Sequence, residues 1–206
     1  MTRILIVANG EWPKAFDIHQ ERIAYDSIVA LDGAANRMVD RGFIPDVIIG
    51  DFDSLDPSVR SRCESEAAQI IHRPNQEKSD IAKGLLWVEQ AYRNSLVEII
   101  GVEGRYDHLI AAYSALFECL SSAVILLDGW TARRIDSIPM NIEVKQNTII
   151  SLIAFGQVEG VTLEGCQYPL LNASLSTGTQ GVSNKAIEST IVASAESGDL
   201  LLFIQG

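Results

Sequence analysis

The chain is organised around the stretch Pro45-Asp46-Val47-Ile48-Ile49-Gly50-Asp51-Phe52-Asp53-Ser54. Its apolar run, Val47–Ile49, is typical of a buried strand, and Gly50 ends that strand. Asp51 and Asp53 follow, at the edge where open α/β sheets bind their ligands. Two neighbouring carboxylates repel each other unless a cation lies between them, and Mg²⁺ prefers oxygen ligands. The stretch therefore predicts a magnesium-phosphate site, with two solvated loop acids as the alternative.

The composition limits the classes of protein to which the chain can belong. With 206 residues, 47% of them hydrophobic, it can form one large domain or two small ones with a real core. A net charge of −11 argues against a protein that binds nucleic acids in general. It does not exclude a nucleotide substrate, because a metal ion can screen the phosphates from the acidic side chains. The cysteines Cys63, Cys119 and Cys166 are widely separated, so we expect reduced thiols in a cytoplasmic protein. No apolar run approaches the roughly 18 residues of a membrane helix.

Strand-like apolar runs alternate with helical patterns in the first part of the chain. This alternation predicts a three-layer α/β domain with a mostly parallel sheet. The predicted strands are residues 4–8, 27–31, 47–49, 69–72, 97–100 and 123–127.

The pattern changes after Gly129, where helical periodicity disappears. Short β-rich runs separated by turn residues follow, at spacings typical of a sandwich or barrel. These runs are residues 132–138, 142–145, 148–155, 161–164, 187–193 and 200–204. We therefore predict an α/β domain over residues 1–130 and an all-β sandwich domain over residues 131–206.

Polar clusters follow four of the strands of the predicted parallel sheet. Besides Asp51 and Asp53, they comprise Asp32, the segment 76–80 and the segment 105–108. Each has a structural alternative: Asp32 suits a helix N-cap, Asp80 suits the first turn of a helix, and Arg105 could be a surface residue. Because the carboxyl ends of parallel strands meet at one edge, we expect the clusters to converge on one crevice. An acidic pocket with basic residues suits metal-assisted phosphoryl transfer, although the common nucleotide-binding fingerprints are missing.

Five motifs in a fixed order carry a resemblance to a known family. They are Asp-Gly-Ala-Ala-Asn (32–36), Gly-Asp-Phe-Asp-Ser (50–54), Asn-Gln-Glu-Lys-Ser-Asp (75–80), Gly-Arg-Tyr-Asp-His (104–108) and Gly-Val-Ser-Asn (181–184). The set resembles thiamine pyrophosphokinase. The resemblance implies a Rossmann-like domain followed by a β-sandwich domain for thiamine binding and dimerisation, in a homodimer that binds neither nucleic acid nor membrane. It also implies Mg²⁺-dependent transfer of a pyrophosphoryl group from ATP to the thiamine hydroxyl, giving thiamine diphosphate and AMP.

The resemblance also implies roles for individual residues. The catalytic group would be Asp51, Asp53, Asp80, Arg105 and Asp107, with Asp51, Asp53 and Asp80 at the metal. Asp80 would complete the metal site, or orient and deprotonate the thiamine hydroxyl, or do both. Arg105 would neutralise phosphate charge. The residues expected to bind ATP or thiamine are Asp32, Asn36, Ser54, Gln76, Lys78, Ser79, His108, Tyr168, Ser183 and Asn184.

Tyr168 stands where the family places an aromatic residue that stacks on thiamine, which carries a cationic thiazolium ring. In the family this residue can come from the partner subunit; the alternative is a core aromatic at the end of a strand. Two departures from the family pattern are Ser79, where Thr is more usual, and a loop before Arg105 that is one glycine shorter.

Two other functions compete with the kinase. A haloacid-dehalogenase-type phosphatase also places Asp-x-Asp after an apolar strand and would use Asp51 as the nucleophile. It needs a later acidic pair, for which Asp128-Gly129 is a poor candidate. A catalytically silent thiamine sensor would keep the fold and bind thiamine without releasing AMP.

Overall fold

In the computed structural model, which describes residues 1–206, the chain forms two units. The first is Met1–Asp128 and the second is Gly129–Gly206, whereas the sequence placed the boundary after residue 130. The first unit is mixed α/β with parallel strands, and the second consists of antiparallel strands. None of the helices is both long and apolar enough to span a lipid bilayer.

The sheet of the first unit contains six strands, and every pair in it is parallel. Side chains of the central strands are almost completely buried, as expected where both faces of a sheet are covered. The spatial order is β4-β3-β2-β1-β5-β6, so the direction of winding changes between β1 and β5, where such sheets bind ligands. The strands are β1 (Arg3–Val7), β2 (Ser27–Leu31), β3 (Val47–Gly50), β4 (Gln69–His72), β5 (Leu96–Ile100) and β6 (Val124–Leu127).

Helices follow these strands, and local sequence signals start two of them. Asp56 caps α3 by accepting a hydrogen bond from the Ser58 amide, and Ser79 caps α4 by accepting one from the Ala82 amide. Both caps occur directly after loops that carry predicted site residues, so they fix where those loops end. The helices are α1 (Ile18–Glu21), continued by a 3-10 turn (Arg22–Ala24), α2 (Ala34–Asp40), α3 (Pro57–Ser65), α4 (Asp80–Ala91) and α5 (Tyr106–Glu118).

The second unit contains seven strands organised around β9. They are β7 (Trp130–Ile135), β8 (Met140–Glu143), β9 (Ile149–Glu164), β10 (Leu170–Leu175), β11 (Asn184–Lys185), β12 (Thr190–Ser194) and β13 (Ser197–Gln205). The first half of β9 pairs with β11 and most of β13, and its second half pairs with β10 and β12. β7 joins β13, and β8 joins β12. One buried core of aliphatic side chains contains residues from both halves of β9, including Ile150, Leu152, Val161 and Leu163.

Three strands of this unit, β9, β10 and β11, differ most from the sequence prediction. Residues 148–155 and 161–164 were expected as separate strands, but residues 149–155 and 161–164 both belong to the 16-residue strand β9. The chain passes through Gly156 and Gly160 at positive φ while remaining in this strand. Strands β10 and β11 were not expected at all.

Candidate active site

Three carboxylates meet at the ends of β2 and β3. Asp32 directly follows β2, and Asp51 and Asp53 directly follow β3. One oxygen from each lies within 4.8 Å of the others, a spacing suited to sharing a cation. The strand ends approach closely because residue 50 is glycine: a Cβ atom there would lie only 2.8 Å from the Cβ of Asp32.

Asp32 is the most buried of these acids, with 3% of its surface exposed. Burial raises its pKa to about 6; the Ser54 hydroxyl opposes this shift, while Asp53 and Asp80 add to it. One of its oxygens, Oδ1, is buried without a hydrogen-bond partner. A buried carboxylate oxygen that lacks a donor, beside two further carboxylates, is a ligand set that fits a hard divalent cation.

Lys83 is the cation nearest to the acids, and only 7% of its surface is exposed. Its Nζ atom lies 3.3 Å from Asp51 Oδ2 and 3.0 Å from Asp80 Oδ1. Asp80 and Lys83 are three residues apart at the start of α4, so their side chains lie on one face of the helix. Asp80, for which the resemblance implies a place at the metal or a role as proton acceptor, pairs with Lys83, while Asp32 lies together with Asp51 and Asp53.

The same contacts shift the pKa values of the pair. Burial opposes ionisation of Asp51, but the hydrogen bond and charge of Lys83 outweigh it and lower the pKa of Asp51. Gln76 adds to this effect by donating from Nε2 to Asp51 Oδ2 at 2.8 Å. Burial likewise disfavours the Lys83 cation, yet its contacts with Asp80 and Asp51 raise the pKa of Lys83 overall. Both groups are therefore charged at neutral pH.

A second positive group stands at the start of α5. Arg105 donates from Nη2 to Asp107 Oδ2 at 2.6 Å and from Nε to Asp107 Oδ1 at 3.2 Å. This two-pronged contact lowers the pKa of Asp107 to about 2. Since the Arg105 side chain is largely exposed, its free edge remains available to a phosphate.

Some of these groups line a cavity of about 620 Å³ in the first unit, a volume within the usual range for small-molecule sites, whereas Asp51, Gln76, Lys83 and Asp107 do not. The predicted residues that line it are Asp32, Asp53, Ser54, Ser79, Asp80, Arg105 and His108.

Two other predicted residues have contacts elsewhere. Lys78 forms an ion pair with Glu118 and does not line the cavity. Asn36 donates to the Ser54 carbonyl at 2.8 Å and accepts from the Asp56 amide at 3.0 Å. It therefore fastens the loop between β3 and α3.

The remaining predicted residues lie in the second unit. Tyr168 is 65% exposed, so its ring is not the core aromatic of the alternative interpretation. Asn184 is buried, and its amide is occupied by main-chain groups: it donates to the Tyr168 carbonyl at 2.7 Å and accepts from the Tyr168 amide at 3.0 Å. Ser183 has a left-handed backbone (φ 62°) and donates its amide to the Ser151 hydroxyl at 3.0 Å. Asn184 thus fixes the main chain that presents Tyr168.

Comparison with known families covers both units. A family model described as the catalytic domain of thiamin pyrophosphokinase matches residues 19–127, and one described as its vitamin B1 binding domain matches residues 137–198. The chain belongs to the thiamine pyrophosphokinase family. The resemblance carried by the five sequence motifs is therefore confirmed.

Individual thiamine pyrophosphokinases are similar along nearly the whole chain. Thiamine pyrophosphokinase of Bacillus subtilis is 27% identical over 210 residues, covering 98% of both proteins. Thiamin pyrophosphokinase 1 of Caenorhabditis elegans is 27% identical over 195 residues, covering 86% of this chain and 78% of the relative. The crystal structure of a thiamin pyrophosphokinase family protein from Enterococcus faecalis is similar in fold, with a TM-score of 0.83 at 22% identity over 100% of this chain and 99% of that one.

In this member of the thiamine pyrophosphokinase family, the sequence did not single out two basic residues at the candidate site. Lys83 lies within the apolar-periodic run of α4, and the only available signal was its spacing of three residues from Asp80. Arg37 lines the cavity and donates from Nη1 to the Gly10 carbonyl at 2.7 Å, which ties the loop after β1 to α2. No signal in the sequence distinguished Arg37 from an ordinary helix-surface residue.

Proposed function

We propose that this chain transfers a pyrophosphoryl group from ATP to the hydroxyl of thiamine and releases AMP. The observation that carries the proposal is the meeting of Asp32, Asp51 and Asp53 within 4.8 Å, in a chain that belongs to this family. We assign ATP and metal binding to the first unit, and thiamine binding and dimerisation to the second.

We propose Asp32, Asp51 and Asp53 as the residues that hold Mg²⁺. The unpartnered buried oxygen of Asp32 supports this assignment, because an isolated carboxylate oxygen in the interior is costly without a cation. When bound, the ion supplies positive charge that offsets the phosphate oxygens of ATP. Lys83 holds Asp51 ionised, and Gln76 orients the same carboxylate.

Arg105 and Asp80 act on the reacting groups in this proposal. Arg105, oriented by Asp107, binds phosphate oxygens and stabilises the negative charge that grows on the leaving AMP. Asp80 lines the cavity and accepts the proton of the thiamine hydroxyl. A bond forms between that hydroxyl oxygen and the β-phosphorus, and the bond from the β-phosphorus to the oxygen of the α-phosphate breaks. AMP leaves with the electron pair.

For thiamine we propose the exposed ring of Tyr168 as the stacking surface, with Asn184 fixing its main chain and Ser183 nearby in sequence. A cationic thiazolium favours the face of such a ring. A homodimer with a shared site and a cytoplasmic location remain predictions.

The two competing functions are not favoured. In the phosphatase, Asp51 would attack phosphorus, but its Oδ2 atom already accepts hydrogen bonds from Lys83 and Gln76. A silent sensor would not need the complete set of acids with Lys83 and Arg105. Both alternatives also lack support from the family match.

The decisive experiment incubates the protein with ATP, Mg²⁺ and thiamine and separates the products by chromatography. We expect AMP and thiamine diphosphate in equal amounts. ADP with thiamine monophosphate would contradict pyrophosphoryl transfer, and a covalent phosphate on Asp51 would support the phosphatase instead.

A further inference from the structure

Phe52, between the two acids that follow β3, has an unusual backbone. Its φ angle is 67°, in the left-handed region. A large side chain rarely adopts this conformation, because its Cβ atom crowds the neighbouring carbonyl oxygen. Such strain persists only where the surrounding structure holds it in place. The Phe52 side chain is half-buried and packs against the core of the first unit.

Two side chains hold the Phe52 ring. The imidazole of His72 stacks on it with ring centres 5.4 Å apart and an angle of 25° between the planes. The guanidinium of Arg60 lies over the same ring, 5.1 Å from its centre. His72 ends β4 and is the register partner of Gly50, while Arg60 lies on α3 and pairs with Glu64 at 2.9 Å. The ring is therefore anchored to two elements that flank the acidic turn.

The acids on either side of the left-handed residue lie close together. Here the carboxylate oxygens of Asp51, Asp53 and Asp32 lie within 4.8 Å of one another. The Asp53 amide also donates to the Asp51 carboxylate, a contact that closes the turn around Phe52.

We propose that Phe52 is a positioning residue, held by Arg60 and His72, that keeps Asp51 and Asp53 in place for metal binding. The proposal rests on the proposed function, because it takes these acids as metal ligands. Groups that orient metal ligands commonly change metal affinity or activity by roughly 10- to 100-fold when removed. The Phe52 ring acts in the same way: it holds the strained turn, and so the two acids, in place without contacting the metal itself.

The test measures Mn²⁺ binding to the full chain by electron paramagnetic resonance, without nucleotide or thiamine. Phe52→Ala should weaken Mn²⁺ binding by roughly tenfold, and Phe52→Tyr, which keeps the ring, should restore it. Phe43→Ala is the matched control, since Phe43 is also half-buried against the same core but lies away from the acids. It should lower the melting temperature and leave Mn²⁺ affinity unchanged.

A second variant separates positioning from stability. Phe52→Gly removes the ring but tolerates positive φ, so it should melt above Phe52→Ala while binding Mn²⁺ at least as weakly. If metal affinity instead follows melting temperature across all four variants, Phe52 is only a packing residue and the proposal is overturned. If Phe52→Ala does not fold, His72→Ala provides the same test, because it removes one face of the stack at an exposed position.

Asp51→Asn distinguishes a failure of the positioning role of Phe52 from a failure of the proposed metal site. If it abolishes Mn²⁺ binding while Phe52→Ala binds as the wild type does, the positioning role is wrong and the metal site stands. If Asp51→Asn itself binds Mn²⁺ normally, the metal site of the proposed function is wrong, and the positioning role fails with it.

Discussion

The Nζ atom of Lys83 lies 3.3 Å from Oδ2 of Asp51, in a position almost closed to water. The same nitrogen reaches Asp80, so one cation joins two acids that follow different strands. A buried ion of this kind is stabilising only while its partners remain, and removal of one partner leaves uncompensated charge.

We predict that Lys83→Met lowers the turnover number for AMP formation by on the order of 100-fold, because Asp51 and Asp80 lose the positive charge that pairs with both of them. Lys83→Arg, which keeps the charge, should retain more activity than Lys83→Met. The control is Lys14→Met, which removes an exposed ion pair with Asp128 and should leave turnover unchanged. Equal turnover in Lys83→Met and the wild type would exclude a role for Lys83.

A second prediction identifies the third acid of the proposed metal site. Asp32→Asn should weaken Mg²⁺ binding by at least tenfold, because it replaces one of the three clustered carboxylates. Asp80→Asn should leave the Mg²⁺ dissociation constant nearly unchanged but reduce turnover by orders of magnitude, since Asp80 is proposed to accept a proton. Isothermal titration with Mg²⁺ and a steady-state assay give the two readouts. The reverse pattern would return Asp80 to the metal and remove Asp32 from it.

The raised pKa of Asp32 predicts how stability depends on pH when metal is absent. Its pKa is about 6 in the folded chain, against an ordinary value of 3.8. Between these two pH values the Asp32 carboxyl keeps its proton in the folded state and has lost it in the unfolded state. The protonated carboxyl therefore stabilises the fold fully below pH 3.8, and this stabilisation is lost as the pH rises through 6. From the two values, the loss has an upper limit of about 3 kcal/mol.

Urea unfolding in EDTA at several pH values measures this loss. Asp32→Asn stays uncharged throughout, so its free energy of unfolding should fall less between pH 4 and pH 7 than that of the wild type. Parallel curves for the two proteins would show that Asp32 does not titrate in this range.

A fourth prediction concerns the second unit. Asn184→Ala removes the hydrogen bonds to the Tyr168 main chain, so it should raise the KM for thiamine by roughly tenfold and leave the KM for ATP unchanged. Tyr168→Ala should act in the same direction, whereas Tyr168→Phe keeps the stacking face and should bind thiamine normally. If ATP binding weakens in parallel, these residues do not serve thiamine specifically.

Much of the first unit was predictable because its apolar runs end abruptly at glycines and acids. Strands β2 and β4 have the expected bounds, and the four polar clusters do follow strands. Lys83 escaped notice because helical periodicity indicates where apolar side chains point, and a lysine on such a helix is ordinarily assigned to solvent. Lys83 pairs with Asp80 of its own helix and also with Asp51, which follows β3, and the sequence pattern of α4 gives no indication of the contact with Asp51.

The second unit was harder to predict for a different reason. Polar residues and glycines interrupt the apolar run of β9, yet pairing with four other strands keeps it continuous. In β10, Asn172 has a positive φ and the register shifts twice, so regular alternation is lost. Pairing with strands that are distant in sequence determines where β9 and β10 run. The alternation of apolar and polar residues within a short window of sequence does not indicate that pairing.

The close approach of Gly50 to Asp32 also limits how this site can change by mutation. Any side chain at residue 50 would meet the Cβ of Asp32 at 2.8 Å before reaching a ligand. A library that randomises the acids to change metal or nucleotide preference should therefore keep residue 50 fixed. Gly50 has no side chain, yet it limits which substitutions the charged residues around it can tolerate.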